Sequence, residues 1–351
     1  MKKGNTQVYS MPADLQEILK NNPKHYLISG GGGFIGSNLV ETLLRLGQKV
    51  TTLDNFSTGS RRNLELVEQI VGPKIWMRHK IIEGDISDMH TCQNASKDID
   101  IVLHQAALGS VPRSIADPIA THNANATGFL NMLIAARDNN VQRFIYAASS
   151  STYGDSQSLP KVESIIGNPL SPYAVTKYLN ELYAKVFSLS YGIETIGLRY
   201  FNVFGPRQDP SGAYAAVIPK WIGSIIENEK CVINGDGQTT RDFCFVANAV
   251  QANLRSALVE NEGALNEVYN VACGEQTSLS SLHDIIKTNI SNLNGSQNIP
   301  SPEFIDFRVG DIQHSLADIS KAEKNLSYSG LIGPKEGLEL TCKWYIESLP
   351  S

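Results

Sequence analysis

Hydrophobic positions along the chain change their spacing several times. Leu15, Ile18 and Leu19 recur at helical intervals until Asn21-Asn22-Pro23 interrupts them. This predicts one short amphipathic helix in an N-terminal extension, residues 1–22, lying on the surface or at a subunit contact. From Lys24 the period shortens. His25-Tyr26-Leu27-Ile28-Ser29 predicts a strand, and it runs into four consecutive glycines. Residues 38–46 are helical in pattern with Gly47 as the C-cap, and residues 49–54 predict a second strand. Strand, glycine turn, helix and strand make one βαβ unit. The alternation continues with strands at 80–82, 101–103, 143–147 and 194–198, and with helices at 127–138 and 172–190. Such repetition predicts an α/β fold with a Rossmann-type, doubly wound parallel sheet.

Beyond Tyr200 the regularity weakens, because Pro206, Pro210, Gly212 and Pro219 break it up. Residues 291–302 read as a loop. The expected organisation is an extension (1–22), a dinucleotide-binding domain (23–199, with a return segment at about 239–274) and a smaller C-terminal α/β lobe (200–238 and 275–351). That lobe would close a cleft over the carboxyl edge of the sheet.

Composition narrows the function. The 351 residues are 42% hydrophobic and 19% charged, enough for a large core and unlike a disordered chain. A net charge of −5 without a basic block argues against nucleic acid as a partner. No apolar run approaches the ~20 residues of a membrane span, and no signal segment follows Lys2-Lys3. Five scattered cysteines without a CxxC pair argue against a disulfide framework or a metal site, and favour a cytoplasmic setting.

Candidate chemistry sits at the strand ends. Gly30, Gly33 and Gly36 lie between a strand and a helix, where backbone can approach a pyrophosphate and free N–H groups face it. Asp54 ends the second strand, 24 residues after Gly30. A carboxylate there accepts ribose hydroxyls and repels a 2′-phosphate, which favours NAD over NADP. Arg61 and Arg62 are read as surface charges. Asp85 could take the adenine amino group while Ile86 packs on the ring. Gln105, Ala106 and Ala107 follow the fourth strand, where small residues admit the cofactor. His104 is read as structural. Tyr173 and Lys177 share one helix face at i,i+4 spacing, where the ammonium would help form a phenolate. The run Ser149-Ser150-Ser151-Thr152-Tyr153-Gly154 ends another strand, and a hydroxyl there could share the proton of a reacting alcohol.

These motifs in this order resemble the extended short-chain dehydrogenase/reductase family, specifically its nucleotide-sugar 4-epimerases. The likeness runs from about Lys24 to the C-terminus. It rests on Gly30–Gly36, Asp54-Asn55, Ser149–Gly154, Tyr173–Lys177, the RYFNVFGPR run at 199–207, and Arg241-Asp242-Phe243. The stretches HQAALGSVPRS (104–114), SPYAVTK (171–177) and GAYAAVIP (212–219) are most similar to UDP-N-acetylglucosamine 4-epimerases of bacterial surface-polysaccharide (O-antigen) pathways.

The resemblance implies an NAD-dependent isomerase that interconverts UDP-GlcNAc and UDP-GalNAc through a 4-keto sugar. Tyr173 would be the base, Lys177 its partner at the nicotinamide ribose, and Ser149 the catalytic hydroxyl. Phe34 and Ile35 within the glycine turn, Asn55, Ser57, Thr58 and Gly59 after the second strand, and Asn125, Tyr200 and Val203 would complete the cofactor site. Ser110, Arg113, Ser150, Ser151 and Asn202 would face the sugar or diphosphate. Arg241 and Arg308 would bind the diphosphate, for which a guanidinium fork is suited. Ala216, Val217, Lys220, Val232 and Asn234 would form the uridine pocket. Ser315 falls at the position that gates sugar size, and a small residue there leaves room for a 2-acetamido group. The extra glycines Gly31 and Gly32 suggest a more flexible turn. Ser150 and Ser151 stand where a 4,6-dehydratase carries its acids, which disfavours elimination. UDP-glucose/UDP-galactose or a UDP-N-acetylhexosaminuronate is the alternative substrate. A non-catalytic NAD-binding regulator is disfavoured by the intact Tyr/Lys pair. A homodimer is also implied, through a four-helix bundle from helices near 125–138 and 172–190.

Overall fold

The computed structural model describes residues 8–212, 215–296, 298–307 and 313–348. Seven parallel strands form its central sheet: β1 (His25–Ser29), β2 (Lys49–Asp54), β3 (His79–Glu83), β4 (Ile101–His104), β5 (Arg143–Ser149), β6 (Glu194–Tyr200) and β7 (Glu267–Val271). Their order is 3-2-1-4-5-6-7. The direction of winding reverses between β1 and β4, the place where an open α/β sheet opens a crevice at its carboxyl edge.

Alternation along the strands builds two cores. Tyr26, Ile28, Ile101, Leu103 and Ile145 face one side, while Leu27, Val102, Phe144 and Tyr146 face the other. Both faces are covered, as an all-parallel sheet requires. Helix α2 (Phe34–Arg45) lies on the first side and is buried at every residue from Gly36 to Leu44. Helices α3 (Gly128–Asp138) and α4 (Pro172–Tyr191) cover the second. Helix α5 (Val246–Leu258) packs with α2 and leads into β7.

The described part of the extension, from residue 8, packs into the core rather than lying on the surface. Helix α1 (Ala13–Asn21) buries Leu15 and Leu19 in the same cluster as α2, while Ala13 and Ile18 face solvent. The Gln48 amide donates to Leu19 O at 2.7 Å, and Arg255 donates to Asp14 at 3.0 Å. The loop expected at 291–302 also needs correction. A helix spans Leu279–Asn294, continued by buried Ile286 and Ile290 and ended by left-handed Gly295, whose N–H returns to Ser291 O.

Short strands pin the C-terminal lobe. Val203–Phe204 pairs with Cys244–Phe245, Thr240–Arg241 with Thr277–Ser278, and Val232–Asn234 with Glu303–Ile305.

Candidate active site

The strands β1, β2, β4, β5 and β6 end on one cavity of about 890 Å³. The glycine turn forms its floor. Gly30 has φ +75°, and a Cβ there would lie 2.7 Å from Ala106 N. A Cβ on Gly36 would lie 2.1 Å from Gly30 O, so α2 can close on β1 only without a side chain. Gly31 and Gly32 do not loosen the turn. Thr52 and Phe56 fill the space beside them, and Gly32 is tied by its N–H to Asp54 Oδ2 and by its O to Ser60 N.

Asp54 is buried and lines the cavity. Oδ1 accepts Phe56 N–H and Oδ2 accepts Gly32 N–H, each at 2.8 Å. Burial raises its pKa, and these two bonds oppose the rise. Each oxygen keeps acceptor capacity for a ribose hydroxyl. The Arg61 guanidinium pairs with Glu83 and stacks on Phe56, while Arg62 is exposed. Asn55 donates to Asp85 Oδ2 at 2.6 Å and caps Ser57 N–H. Burial would push the Asp85 pKa up, but bonds from Ser87 and Asn55 outweigh it and hold the group below its usual range. Ser57, Thr58, Gly59 and Ile86 border the same end.

At the other end, Tyr200 OH donates to Gln105 Oε1 at 2.9 Å, Gln105 Nε2 donates to Asn253 Oδ1 at 3.0 Å, and Asn253 Nδ2 donates to Tyr200 OH at 2.7 Å. This closed ring fixes two cavity-lining residues, and burial keeps Tyr200 a neutral phenol. Asn253 carried no sequence signal. His104 is a core residue: Nδ1 meets Ser29 Oγ at 2.7 Å between Phe129 and Phe144, and burial lowers its pKa to about 3.

The register of β5 on β6 sets Ser149 beside Tyr200 at the sheet edge. Helix α4 begins just above. Ser171 caps it through Ala174 N–H, with Pro172 in the first turn, so Tyr173 projects over Ser149. Ser149 Oγ accepts Ser151 N–H at 3.1 Å and Ser151 Oγ–H at 2.9 Å, which leaves its own proton for Tyr173. Ser151 therefore orients Ser149 instead of facing the cavity, which Ser150 does line. Lys177 is buried, donates to Ala147 O at 2.7 Å and lies 6.0 Å from the Tyr173 ring centroid. Burial lowers its pKa to about 8. Burial raises the Tyr173 pKa, and the Ser149 hydroxyl opposes the rise.

Asn125 also departs from expectation. It lies in a π-helical turn (Asn123–Thr127), and its amide clamps Leu108 N–H, Leu108 O and Thr176 Oγ1. Its neighbours Asn123 and Ala124 line the cavity instead. Phe34, Ile35, Ala106, Ala107, Ser110, Asn202, Val203 and Ala216 line it as expected. Ser110 holds a left-handed φ of +94° and accepts Arg113 N–H at 3.3 Å, which turns Arg113 into the next helix and off the lining.

The other described substrate candidates, Val217, Lys220, Val232, Asn234, Arg241 and Ser315, do not line this cavity. Val217 and Lys220 are on the helix Val217–Ile226, whose Trp221 donates to Val232 O at 3.3 Å, next to Asn234. Arg241 Nη1 donates to Thr240 O at 3.0 Å and Gln313 O at 3.2 Å. Ser315 N–H donates to Thr240 O at 3.2 Å, so the gate position lies against the strand bearing Arg241. Arg308 and part of the 212–219 stretch fall outside the described residues. No cluster of metal-ligating side chains occurs among the described residues, and none of their helices is long and apolar enough to cross a membrane.

A glycine turn, a cavity-lining aspartate at the end of β2 and a serine–tyrosine–lysine group on one sheet edge define a nicotinamide-dependent enzyme of the short-chain dehydrogenase/reductase class. Residues 26–272 match the NAD dependent epimerase/dehydratase family, and the chain belongs to it. Its cofactor is NAD, and the free acceptor positions on Asp54 fit that group. The chain is 40% identical to a UDP-N-acetylglucosamine 4-epimerase from Methanobrevibacter ruminantium, solved with UDP-N-acetylmuramic acid. That match has a TM-score of 0.84 over 93% of this chain and 100% of the other. It is 36% identical over 320 residues to a putative UDP-glucose 4-epimerase of Methanocaldococcus jannaschii, covering 91% of this chain and 97% of that one. A Thermus thermophilus UDP-glucose 4-epimerase solved with NAD is 29% identical, with a TM-score of 0.78 over 93% of this chain and 100% of that chain.

Proposed function

We propose that this protein catalyses the reversible C4 epimerisation of a UDP-sugar, with UDP-GlcNAc and UDP-GalNAc as its pair. The observation that carries the reading is the Ser149–Tyr173–Lys177 group at the carboxyl edge of β5, facing the NAD end of the same cavity. NAD, when bound, supplies reversible hydride transfer at the sugar C4 and a positive ring near the phenol. Tyr173 takes the 4-hydroxyl proton and later returns it. Ser149, already accepting twice from Ser151, donates to the Tyr173 oxygen and shares that proton. Lys177, held by Ala147 O, keeps a positive charge under the phenolate. The ketone turns over in the site, so hydride and proton return on the other face. Asn202 and Arg241 hold the diphosphate, aided by Arg308, and Ser315 leaves the acetamido group its space.

Incubating the purified protein with UDP-GlcNAc, and in parallel with UDP-glucose, tests this without added NAD. Preferential formation of UDP-GalNAc supports both steps of the reading. Conversion of UDP-glucose alone keeps the mechanism and selects the second substrate, which the Methanocaldococcus relative favours. No conversion of either sugar, with NAD supplied, removes the reading.

The active form is a homodimer. Val175, Leu182, Val186 and Leu189 leave one face of α4 apolar and exposed, with Ile115 and Ile119 beside it. A second copy placing its own α3 and α4 there would cover the face in a four-helix bundle. Sedimentation of wild type against Val186→Glu should show dimer and monomer; two monomers would refute it.

A further inference from the structure

Asp242 follows Arg241 in sequence and is fully buried. Its carboxylate gathers backbone N–H groups from two distant segments. Oδ1 accepts from Cys273 at 2.9 Å, and Oδ2 accepts from Gly274 at 3.1 Å and Ala317 at 3.2 Å. The Asp242 carbonyl meanwhile accepts Asn202 Nδ2–H at 2.9 Å, and Asn202 O accepts Cys244 N–H. That grip holds Asn202 at its left-handed φ of +34°.

Three of the proposed substrate contacts therefore meet at one residue. Arg241 precedes it, Asn202 hangs from its carbonyl, and Ser315 lies two positions before Ala317. A carboxylate suits this place because it offers four acceptor positions and no donor. Burial raises the Asp242 pKa to about 6 against the opposing N–H groups, so it is ionised at neutral pH.

We infer that Asp242 is the positioning residue for the UDP-sugar end of the cleft, setting Asn202, Arg241 and Ser315 in one register. The inference rests on the function proposed above. Asp242→Asn keeps the shape but turns one acceptor into a donor aimed at N–H groups. Ala317→Pro removes one donor and leaves the carboxylate intact. The Ala317 N–H is not used in the neighbouring bridge, where Lys161 N–H goes to Leu316 O and Asp318 N–H to Lys161 O.

Wild type and both variants are compared by UDP titration calorimetry, by kcat and KM for UDP-GlcNAc, and by NAD retained after gel filtration. For each variant we expect KM to rise and UDP affinity to fall roughly tenfold or more, with kcat and NAD content near wild type. Should Asp242→Asn not fold, Ala317→Pro carries the test. Unchanged KM in a folded variant overturns the inference. So does loss of NAD together with UDP affinity, or failure of both variants to fold, since either result marks a general structural role. Wild-type protein that binds no UDP would instead refute the reading beneath it.

Discussion

Lys177 should make the protein less stable at neutral pH, and by an amount the structure fixes. It is 3% exposed, and burial lowers its pKa from the ordinary 10.5 to about 8. The unfolded chain releases that proton near 10.5, the folded chain near 8. Between those values the unfolded state holds more protons, so stability rises with pH across the window. The gap corresponds to about 3 kcal/mol at 1.36 kcal/mol per pH unit. Lys177→Met has no proton to lose. Its stability relative to wild type should thus be greatest below about pH 8 and should shrink by about 3 kcal/mol by pH 10.5. Other titrations, shared by both proteins, cancel in the difference. Loss of the bond to Ala147 O offsets the two curves but does not change how their separation varies with pH. Urea unfolding of cofactor-free protein across this pH range measures it. A separation constant to within about 0.5 kcal/mol would refute the claim that a buried ammonium is held at this position. The same variant should be inactive, which makes Lys177 a residue retained for chemistry against stability.

Tyr173→Phe should lower kcat by roughly 10²–10⁴-fold while NAD stays bound, and undiminished turnover would remove the acid–base role. Ser315→Tyr should abolish turnover of acetamido sugars and spare UDP-glucose; equal loss of both activities argues against a gate. Arg207 is buried, donates to Glu41 Oε2 at 2.7 Å and Ser37 Oγ at 3.1 Å, and so ties the segment after Val203 to helix α2. Arg207→Met should cost about 3 kcal/mol in urea unfolding, because Glu41 then keeps only its bond from Arg45. Adding Glu41→Met should recover part of that loss, and a double variant no more stable than Arg207→Met would refute the pairing.

Six of the seven strands were legible because each carries its evidence locally, whereas β7 (Glu267–Val271) went unread. Apolar runs such as 25–29 and 101–103 extend by a residue or two at most when paired, and their polar ends are the site. The glycine turn, Asp54, Ser149, Tyr173 and Lys177 were readable for the same reason: each stands at the end of a periodic element. The helix Arg61–Val71 went unread although Leu64, Val67 and Val71 mark its buried face. Only the last turn of the helix ending at Asn294, residues 291–294, was read as loop, because that turn is polar, and burial of Ile286 and Ile290 explains why the helix runs on. Helix α1 was placed outside the core because nothing in Leu15 and Leu19 says which neighbour will cover them.

What could not be read is polar and long-range. Gln105 meets Tyr200 across 95 residues and Asn253 across 148. Arg207 meets Glu41 across 166, and Asp242 meets Ala317 across 75. A buried polar group must find partners, but periodicity does not say which. The two ends of the cleft differ on this account. The cofactor end is assembled from strand ends that the sheet itself aligns, so its geometry follows from register. The sugar end draws on segments joined to one another only by two-residue strand pairs and single bridges, and buried polar side chains must supply much of the alignment that register supplies elsewhere. If Ser315 gates sugar size and Asp242 positions its segment as proposed, a change of substrate can proceed at Ser315 without disturbing NAD, as long as Asp242 continues to hold the segments together.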